Sequence, residues 1–467
     1  MRSTYAAGPS PSRAVAPRFD TTMDRLLFAA VADDDTGASD LAGMLAEHDV
    51  RTLLVIDLPT DEQFLEWSEG YQAVVMAEGT RNVAPAAAYE RTRAAIRILQ
   101  ARRPRLFQIK YCSTFDSTPE GNIGPSIDAA LDELAEDFTV AVPALPVNGR
   151  TTYQGYHFVH GRLLSDSPMR QHPLTPMTNP NLVDLLGRQT RRRVGLASYA
   201  DVEAGDGRLK ERFQELRREG VAVALVDCLS ERHLESICRA AEGLRLVSGG
   251  SGFGRWLPRI WRERGLIGEV DAPRPVPPDA AARAAGSLVV AGSCSEATRR
   301  QNEWFSGQGA SISHVQPMEL LGDDFDRAAL VTRLQKEVAR GRDCLLTTSG
   351  APDDVRAAQD WAAGRGMTAR ELGEAVSDSL AGLVLRVLEG QPVGGLVVAG
   401  GETSGALCRH LKLGALRVGK NIEPGVPLCL SLGEFRLPVV LKSGNFGGED
   451  FYGKALQAIA RAGEYIV

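Results

Sequence analysis

Short apolar runs alternate along the chain with stretches in which apolar positions recur at helical spacing. The runs at 26–32, 51–56, 73–76, 106–110 and 139–142 predict buried strands. Between them, Ala38, Leu41, Met44 and Leu45 predict a helix entered through a polar cap. Further helices fit 85–101, with Pro85 at a first helical position where its missing N–H costs nothing, and 124–134. The pattern continues with strands at 193–195 and 221–226 and helices at 209–218 and 230–241. After a proline-rich stretch, VDAPRPVPP, a second series begins. Its strands are expected at 287–291, 311–315, 344–347, 395–399 and 437–441, and its helices at 296–305, 328–339 and 369–388. Alternation of this kind predicts β-α-β units on largely parallel sheets. The expectation is an α/β chain of two domains, each a mostly parallel sheet flanked by helices. Residues 1–22 are expected to be a loose tail, 23–267 an N-terminal domain, 268–280 a linker and 281–467 a C-terminal domain.

Composition narrows the class. The 467 residues are 43% hydrophobic and 24% charged, enough for two substantial cores without disulfide staples. A net charge of −6 offers no broad cationic face, which argues against a nucleic-acid partner. The seven cysteines are odd in number, scattered and free of any C-x-x-C pair. That predicts reduced thiols in a cytoplasmic protein rather than a disulfide framework or a zinc site. No apolar stretch approaches the roughly 20 residues that span a bilayer, and the N-terminus lacks the apolar core of a secretory signal. Small molecules are the expected partners, and nothing here decides against a homodimer.

Several expected strands end in loops that could do chemistry. In open α/β sheets ligands gather at the carboxyl ends of strands, where the following helices aim their N–H groups. The C-terminal series offers Gly292-Ser293-Cys294-Ser295, Gly400-Gly401-Glu402-Thr403-Ser404-Gly405 and Ser443-Gly444-Asn445-Phe446-Gly447-Gly448. Glycines let backbone approach phosphate oxygens closely, so three such loops suit a nucleotide, although each alone is ordinary connection geometry. Neither a Walker A pattern nor G-x-G-x-x-G after a strand is present. Lys442 could neutralise a phosphate, but a lysine at a strand end more often faces solvent.

The N-terminal series differs. Asp33, Asp34, Asp35, Thr36 and Asp40 crowd one strand-to-helix junction, more carboxylates than capping requires. Lys110 opens a segment with Cys112, Asp116, Ser117 and Asn122 that would suit a polyhydroxy acid. Arg150 could grip a carboxylate through two parallel bonds. Arg81 and Asn82 are further candidates. His157 and His160 lack a third ligand at metal spacing, so each is expected to hold a hydroxyl or a carbonyl.

Seven segments in one order resemble the four-carbon acid sugar kinase family: VADDDTGASD at 31–40, DSTPEGNIG at 116–124, PALPVNGRTT at 143–152, SGGSGFG at 248–254, AGSCSEAT at 291–298, GGETSGA at 400–406 and LKSGNFGGEDFY at 441–452. The resemblance implies a sugar-acid-binding N-terminal domain and an ATP-binding C-terminal domain. YCSTFDSTPEGNIGP and the segment at 162–186 set the chain nearest the branch acting on 3-oxo-tetronates. Pro119-Glu120 stands where the branch acting on D-threonate and D-erythronate carries Leu-Arg.

The implied reaction moves the γ-phosphoryl group of ATP, with Mg2+ expected, onto the 4-hydroxyl of a 3-oxo-tetronate such as 3-dehydro-erythronate. On this resemblance Asp34 or Asp116 orients the hydroxyl and accepts its proton. Asp33, Asp35, Arg81, Lys110, Ser117, Asn122 and Arg150 bind the sugar acid. Ser293, Ser295, Gly400, Gly401, Glu402, Thr403 and Gly444 lie against ATP. The rival readings are a D-threonate or D-erythronate 4-kinase, a non-catalytic sugar-acid sensor on the same frame, and a dehydrogenase, which the missing dinucleotide fingerprint disfavours.

Overall fold

The computed structural model describes residues 26–171, 175–268 and 284–466. The tail expected at 1–22 and all but the first residue of the expected linker lie outside them. The alternation of strand and helix is present as expected, and the architecture is α/β. In the N-terminal half the strands are β1 (Phe28–Ala32), β2 (Thr52–Ile56), β3 (Ala73–Ala77), β4 (Leu106–Lys110), β5 (Thr139–Val142), β6 (Arg150–Tyr153), β7 (Tyr156–Val159), β8 (Arg162–Leu163), β9 (Val194–Ala197), β10 (Val223–Val226) and β11 (Leu246–Gly249). In the C-terminal half they are β12 (Leu288–Ala291), β13 (Ser311–His314), β14 (Cys344–Thr347), β15 (Leu396–Ala399), β16 (Ala415–Glu423), β17 (Val426–Ser431) and β18 (Pro438–Lys442).

Two separate sheets do not form. Fifteen strands join edge to edge in the order β13-β14-β12-β15-β18-β17-β16-β2-β3-β1-β4-β11-β5-β10-β9. Each half is a contiguous block, and the join is the antiparallel pairing of β16 with β2, Leu416 opposite Leu54. The hairpin β16–β17 that makes this join has no helix between its strands, so the β-α-β pattern gave no sign of it. The strands beside it are wholly buried, with β1, β2, β3 and β4 apolar throughout except for Thr52, Gln108 and Lys110. Burial on both faces explains why these strands read as continuous apolar runs rather than alternating ones.

At two places the chain leaves a strand on one side and later crosses to that strand's other side. From β1 it moves to β2 and β3 on one side, then crosses to β4 on the other. From β12 it moves to β13 and β14, then crosses to β15. Crevices open outside the carboxyl ends of strands at such points. The acidic loop after β1 and the glycine loops after β12 and β15 stand at these two crevices.

β6, β7 and β8 form a small antiparallel sheet of their own. The buried Asp227 fastens it to the main sheet by accepting from the amides of Gln154 (2.7 Å), Gly155 (2.9 Å) and Tyr199 (2.8 Å). Thr152 and Cys228 exchange backbone hydrogen bonds beside it, each 2.9 Å. Arg150 is carried on this appendage. None of the helices among the described residues is long and apolar enough to cross a membrane.

The join tests directly. Leu416 and Leu54 are fully buried where the two halves pair, so Leu416→Ala should destabilise the chain by about 2–5 kcal/mol. Urea unfolding measures this, and an unchanged midpoint would mean that the join carries no stability.

Candidate active site

β1 runs into three aspartates, and the loop after β3 holds the carboxylates of the first two. Arg81 grips Asp33 through two parallel bonds, Nε and Nη2 each 2.9 Å from a carboxylate oxygen. Its Nη2 also reaches Asp34 at 2.9 Å. Asp34 caps the helix Asp35–Ala46, accepting from the Gly37 amide and the Thr36 hydroxyl, both 2.8 Å. Burial alone would raise the Asp34 carboxyl. Arg81, Lys110 and these hydrogen bonds outweigh burial and hold it below the ordinary carboxylate range. For Asp33 burial wins over Arg81, and its carboxyl is raised. Asp35 is raised to about 7, by burial and then by the neighbouring Asp34. One arginine thus serves two carboxylates and leaves the third short of compensation.

The loop after β4 supplies a second cluster. Phe115 takes a left-handed conformation with φ 55° while its buried ring packs edge-on against Tyr111, centroids 5.4 Å apart. A bulky residue in that region costs on the order of 1–3 kcal/mol and persists only where packing enforces it. The strained turn carries Asp116, whose Oδ1 accepts from Thr114 at 2.5 Å. Its other oxygen has no protein partner among the described residues. His157, on β7, sits behind the loop, bonded to the Thr152 hydroxyl (3.0 Å) and the Ser113 carbonyl (2.8 Å); it holds a hydroxyl and a carbonyl as expected, but from a strand. Burial lowers it to about 4, so it stays neutral. Arg150 donates from Nη1 to the Asn148 carbonyl, while its buried Nε has no partner among the described residues.

In the C-terminal half a cavity of about 320 Å³ opens outside β12 and β15. Ser293, Gly400, Gly401, Glu402 and Thr403 form one wall. Val355, Ala358, Leu372 and Val376 form an apolar wall from the helices Pro352–Ala363 and Ala369–Gly390. A polar, glycine-bearing wall facing an apolar one matches the two ends of a nucleotide. Gly400 adopts φ 129°, open to glycine and not to larger residues, as β15 turns into the helix Gly401–His410.

The two crevices meet. A Cβ placed on Gly405 would stand 2.5 Å from the Asp35 carboxylate, and one on Gly401 would stand 3.8 Å from the Thr36 methyl. The acidic loop after β1 therefore lies against the helix that opens with the glycine wall of the cavity.

Comparison with known proteins agrees. The sequence profile of a sugar-binding N-terminal domain matches residues 28–257, and that of a nucleotide-binding C-terminal domain matches residues 288–452. A 3-oxo-tetronate kinase of Pseudomonas savastanoi pv. phaseolicola is 38% identical over 94% of this chain and 98% of its own length. Those of Pseudomonas fluorescens and Cupriavidus necator are each 39% identical, over 93% and 94% of this chain and 98% of theirs. The chain belongs to the four-carbon acid sugar kinase family. Two crystal structures share the fold: one from Salmonella typhimurium LT2 (TM-score 0.79, 35% identity, 92% of this chain and 98% of that one) and one of a Haemophilus influenzae protein (0.74, 34%, 92% and 100%).

In this member of the family the residues singled out from sequence fall into distinct environments. Asp33, Asp34, Asp35, Arg81 and Lys110 converge at the carboxyl ends of β1, β3 and β4. Asn122 is committed elsewhere: its amide nitrogen donates to the carbonyls of Thr80 (2.6 Å), Arg81 (3.2 Å) and Val83 (3.0 Å), which holds the Arg81 loop in place. Ser117 accepts from Gln189 at 2.8 Å. Ser295 caps the helix Glu296–Gly307 and donates to the Gly444 carbonyl at 2.7 Å, so neither it nor Gly444 is among the residues lining the cavity. Sequence reasoning missed the apolar wall, because its residues read as ordinary helix core. It also missed Ser251, whose hydroxyl donates to Asp40, and Gln189. Lys442 does not face solvent as expected; it is 1% exposed.

Beside Asp35, Glu78 is buried with one carboxylate oxygen unpartnered, and burial raises it to about 8. A carboxyl raised on folding binds its proton more tightly in the folded state, so stability falls as pH rises from about 4 to about 8. Glu78→Gln should flatten that slope, matching wild type near pH 5 and exceeding it above pH 8. Melting temperature against pH measures this, and parallel curves would contradict it.

Proposed function

We propose that the protein transfers the γ-phosphoryl group of ATP to the 4-hydroxyl of a 3-oxo-tetronate, such as 3-dehydro-erythronate, releasing ADP and the 4-phosphate. The observation that carries this reading is the contact of the acidic loop after β1 with the glycine wall of the cavity. It supports an acceptor on one side of the join and a phosphate tail on the other. Family membership at high coverage and the activity for which the relatives are named support the same chemistry.

Phosphoryl transfer asks mainly for alignment, charge neutralisation and exclusion of water. The new bond joins the substrate O4 to phosphorus as the bond to the β-phosphate oxygen breaks. The hydroxyl proton passes to a carboxylate. Asp116 suits that task, with one oxygen lacking a protein partner and its loop held by the Phe115 ring. Asp34 is kept ionised but has both oxygens engaged, which suits orienting rather than accepting. Arg150, with an unsatisfied Nε, would hold the substrate carboxylate in a charge-assisted pair. Asp33, Asp35 and Lys110 would complete the acceptor side, with Arg81 fixing the first. Ser293 and Gly400 to Thr403 would hold the nucleotide. Among the described residues no group of three or more His, Cys, Asp or Glu side chains is arranged to hold a metal ion. Mg2+ would enter as part of the substrate, MgATP, and would supply neutralising charge for the phosphates. The seven free cysteines fit a cytoplasmic setting.

An ADP-release assay across 3-oxo and reduced four-carbon acids tests the substrate, and faster turnover of D-threonate or D-erythronate would displace the 3-oxo assignment. Asp116→Asn should lower kcat by about 100-fold or more, within the range of a lost general base. Arg150→Ala should raise KM for the sugar acid at least about tenfold and leave that for ATP unchanged. Near-normal kcat in the first, or an unchanged sugar-acid KM in the second, removes that residue from its role.

A further inference from the structure

Lys442, the last residue of β18, is buried beneath the loop that follows it. Among the described residues no carboxylate pairs with it. Its Nζ lies 3.1 Å from the Ser443 carbonyl, 3.2 Å from the Gly444 carbonyl and 3.4 Å from the Thr298 hydroxyl. The Gly444 carbonyl is unusually crowded with donors. Besides Lys442 it accepts from Ser295 at 2.7 Å and Thr298 at 2.9 Å. The next carbonyls, of Phe446, Gly447 and Gly448, are gathered by the Gln301 amide at 3.0, 3.0 and 3.1 Å.

Carbonyls drawn to one side have a consequence for the amides. In a trans peptide C=O and N–H point in opposite directions, and none of these peptides is cis. The Ser443 carbonyl shares its peptide with the Gly444 N–H, and the Gly444 carbonyl shares its peptide with the Asn445 N–H. Both N–H groups therefore point away from Lys442, and neither finds a protein acceptor among the described residues. The loop presses on Ser293, which lines the cavity: a Cβ on Gly444 would stand 2.1 Å from the Ser293 hydroxyl. Adjacent unpaired amides aimed the same way make a concavity for anions, and donors crowding a carbonyl strengthen the N–H across its peptide.

We infer that Lys442 is a positioning residue for phosphoryl transfer, tying down the Ser443 and Gly444 carbonyls so that the Gly444 and Asn445 amides stand as a preformed pair of donors for the phosphate tail of the nucleotide. This rests on the proposed kinase reading and extends it to a residue that does not itself touch the ligand. Its charge also adds a positive field from behind the loop. Burial lowers Lys442 to about 8 and is the only cause, no charged group on the elements packed around it contributing. The charge is therefore present below that pH and lost above it.

Titration of the full-length protein with MgATP and with adenosine, beside steady-state kinetics on a 3-oxo-tetronate, tests the role. K442M keeps the length of the side chain and removes its charge and donors. Affinity for MgATP and kcat should each fall at least about tenfold, with adenosine affinity and sugar-acid KM held within about twofold. The decline of wild-type kcat above about pH 8 should vanish in the variant. Thr298→Val deletes one of the three donors while keeping shape, and should weaken MgATP in the same direction by a smaller factor. It decides the matter if K442M does not fold. Unchanged MgATP affinity in a folded variant, or equal losses for adenosine and MgATP, overturns the inference. A wild-type chain that prefers MgATP to adenosine yet phosphorylates no sugar acid fails the kinase reading alone, and the anion site is then judged by titration.

Discussion

The antiparallel pairing of β16 with β2 is the constraint on which the rest of the molecule depends. It makes one sheet out of two parallel blocks, and it makes those blocks run in opposite senses. Were the sheet flat, the carboxyl ends of β1 and β15 would lie on opposite edges, with their ligand crevices facing apart. Six strand-to-strand steps separate β15 from β1, and at roughly 20–25° of twist per step they accumulate about 120–150° of rotation. A rotation of that size turns both carboxyl ends toward one side of the molecule, where the acidic loop of one half touches the glycine helix of the other. The hairpin tip reinforces the approach: a Cβ on Gly425 would stand 3.2 Å from the Asp40 carboxylate and 2.8 Å from the Phe446 ring. A single hairpin in the middle of the sheet thus brings both loops together.

Electrostatics on the two sides of this join are arranged in opposite ways. On the N-terminal side carboxylates outnumber the cations that serve them. Arg81 is shared between Asp33 and Asp34, and Asp35 and Glu78 are left raised by burial. On the C-terminal side Lys442 is a buried cation whose partners are carbonyls and a hydroxyl. Buried charges without full compensation are costly to keep. In both places the shortfall sits beside a crevice, where a bound cationic or anionic group would offset it.

Rigid support comes from groups that never touch a ligand in this scheme. Asn122 holds three carbonyls of the Arg81 loop, Gln301 holds three of the glycine loop, and the Phe115 ring enforces the turn that bears Asp116. Preorganised donors and acceptors of this kind lower the reorganisation that a charge-transferring reaction would otherwise require.

Local pattern was enough to reveal the strands, most of the helices and the loops where chemistry gathers, because a strand buried on both faces must be apolar throughout and a ligand loop must break that run with glycine, hydroxyl or charge. Asp33 to Asp35 and the 400–403 loop stood out as candidates for that reason. The joining hairpin was not, since two strands linked by a tight turn carry no helical period and their pairing with β2 is a contact between distant parts of the chain. The apolar wall of the cavity was likewise hidden, because Leu372 and Val376 have the same spacing whether they face a core or a cavity. Lys442 shows the difference most plainly. Its place at a strand end is written in the chain, but whether that end meets water or the underside of a folded loop depends on Ser295, Thr298 and Gly444, which only packing brings around it.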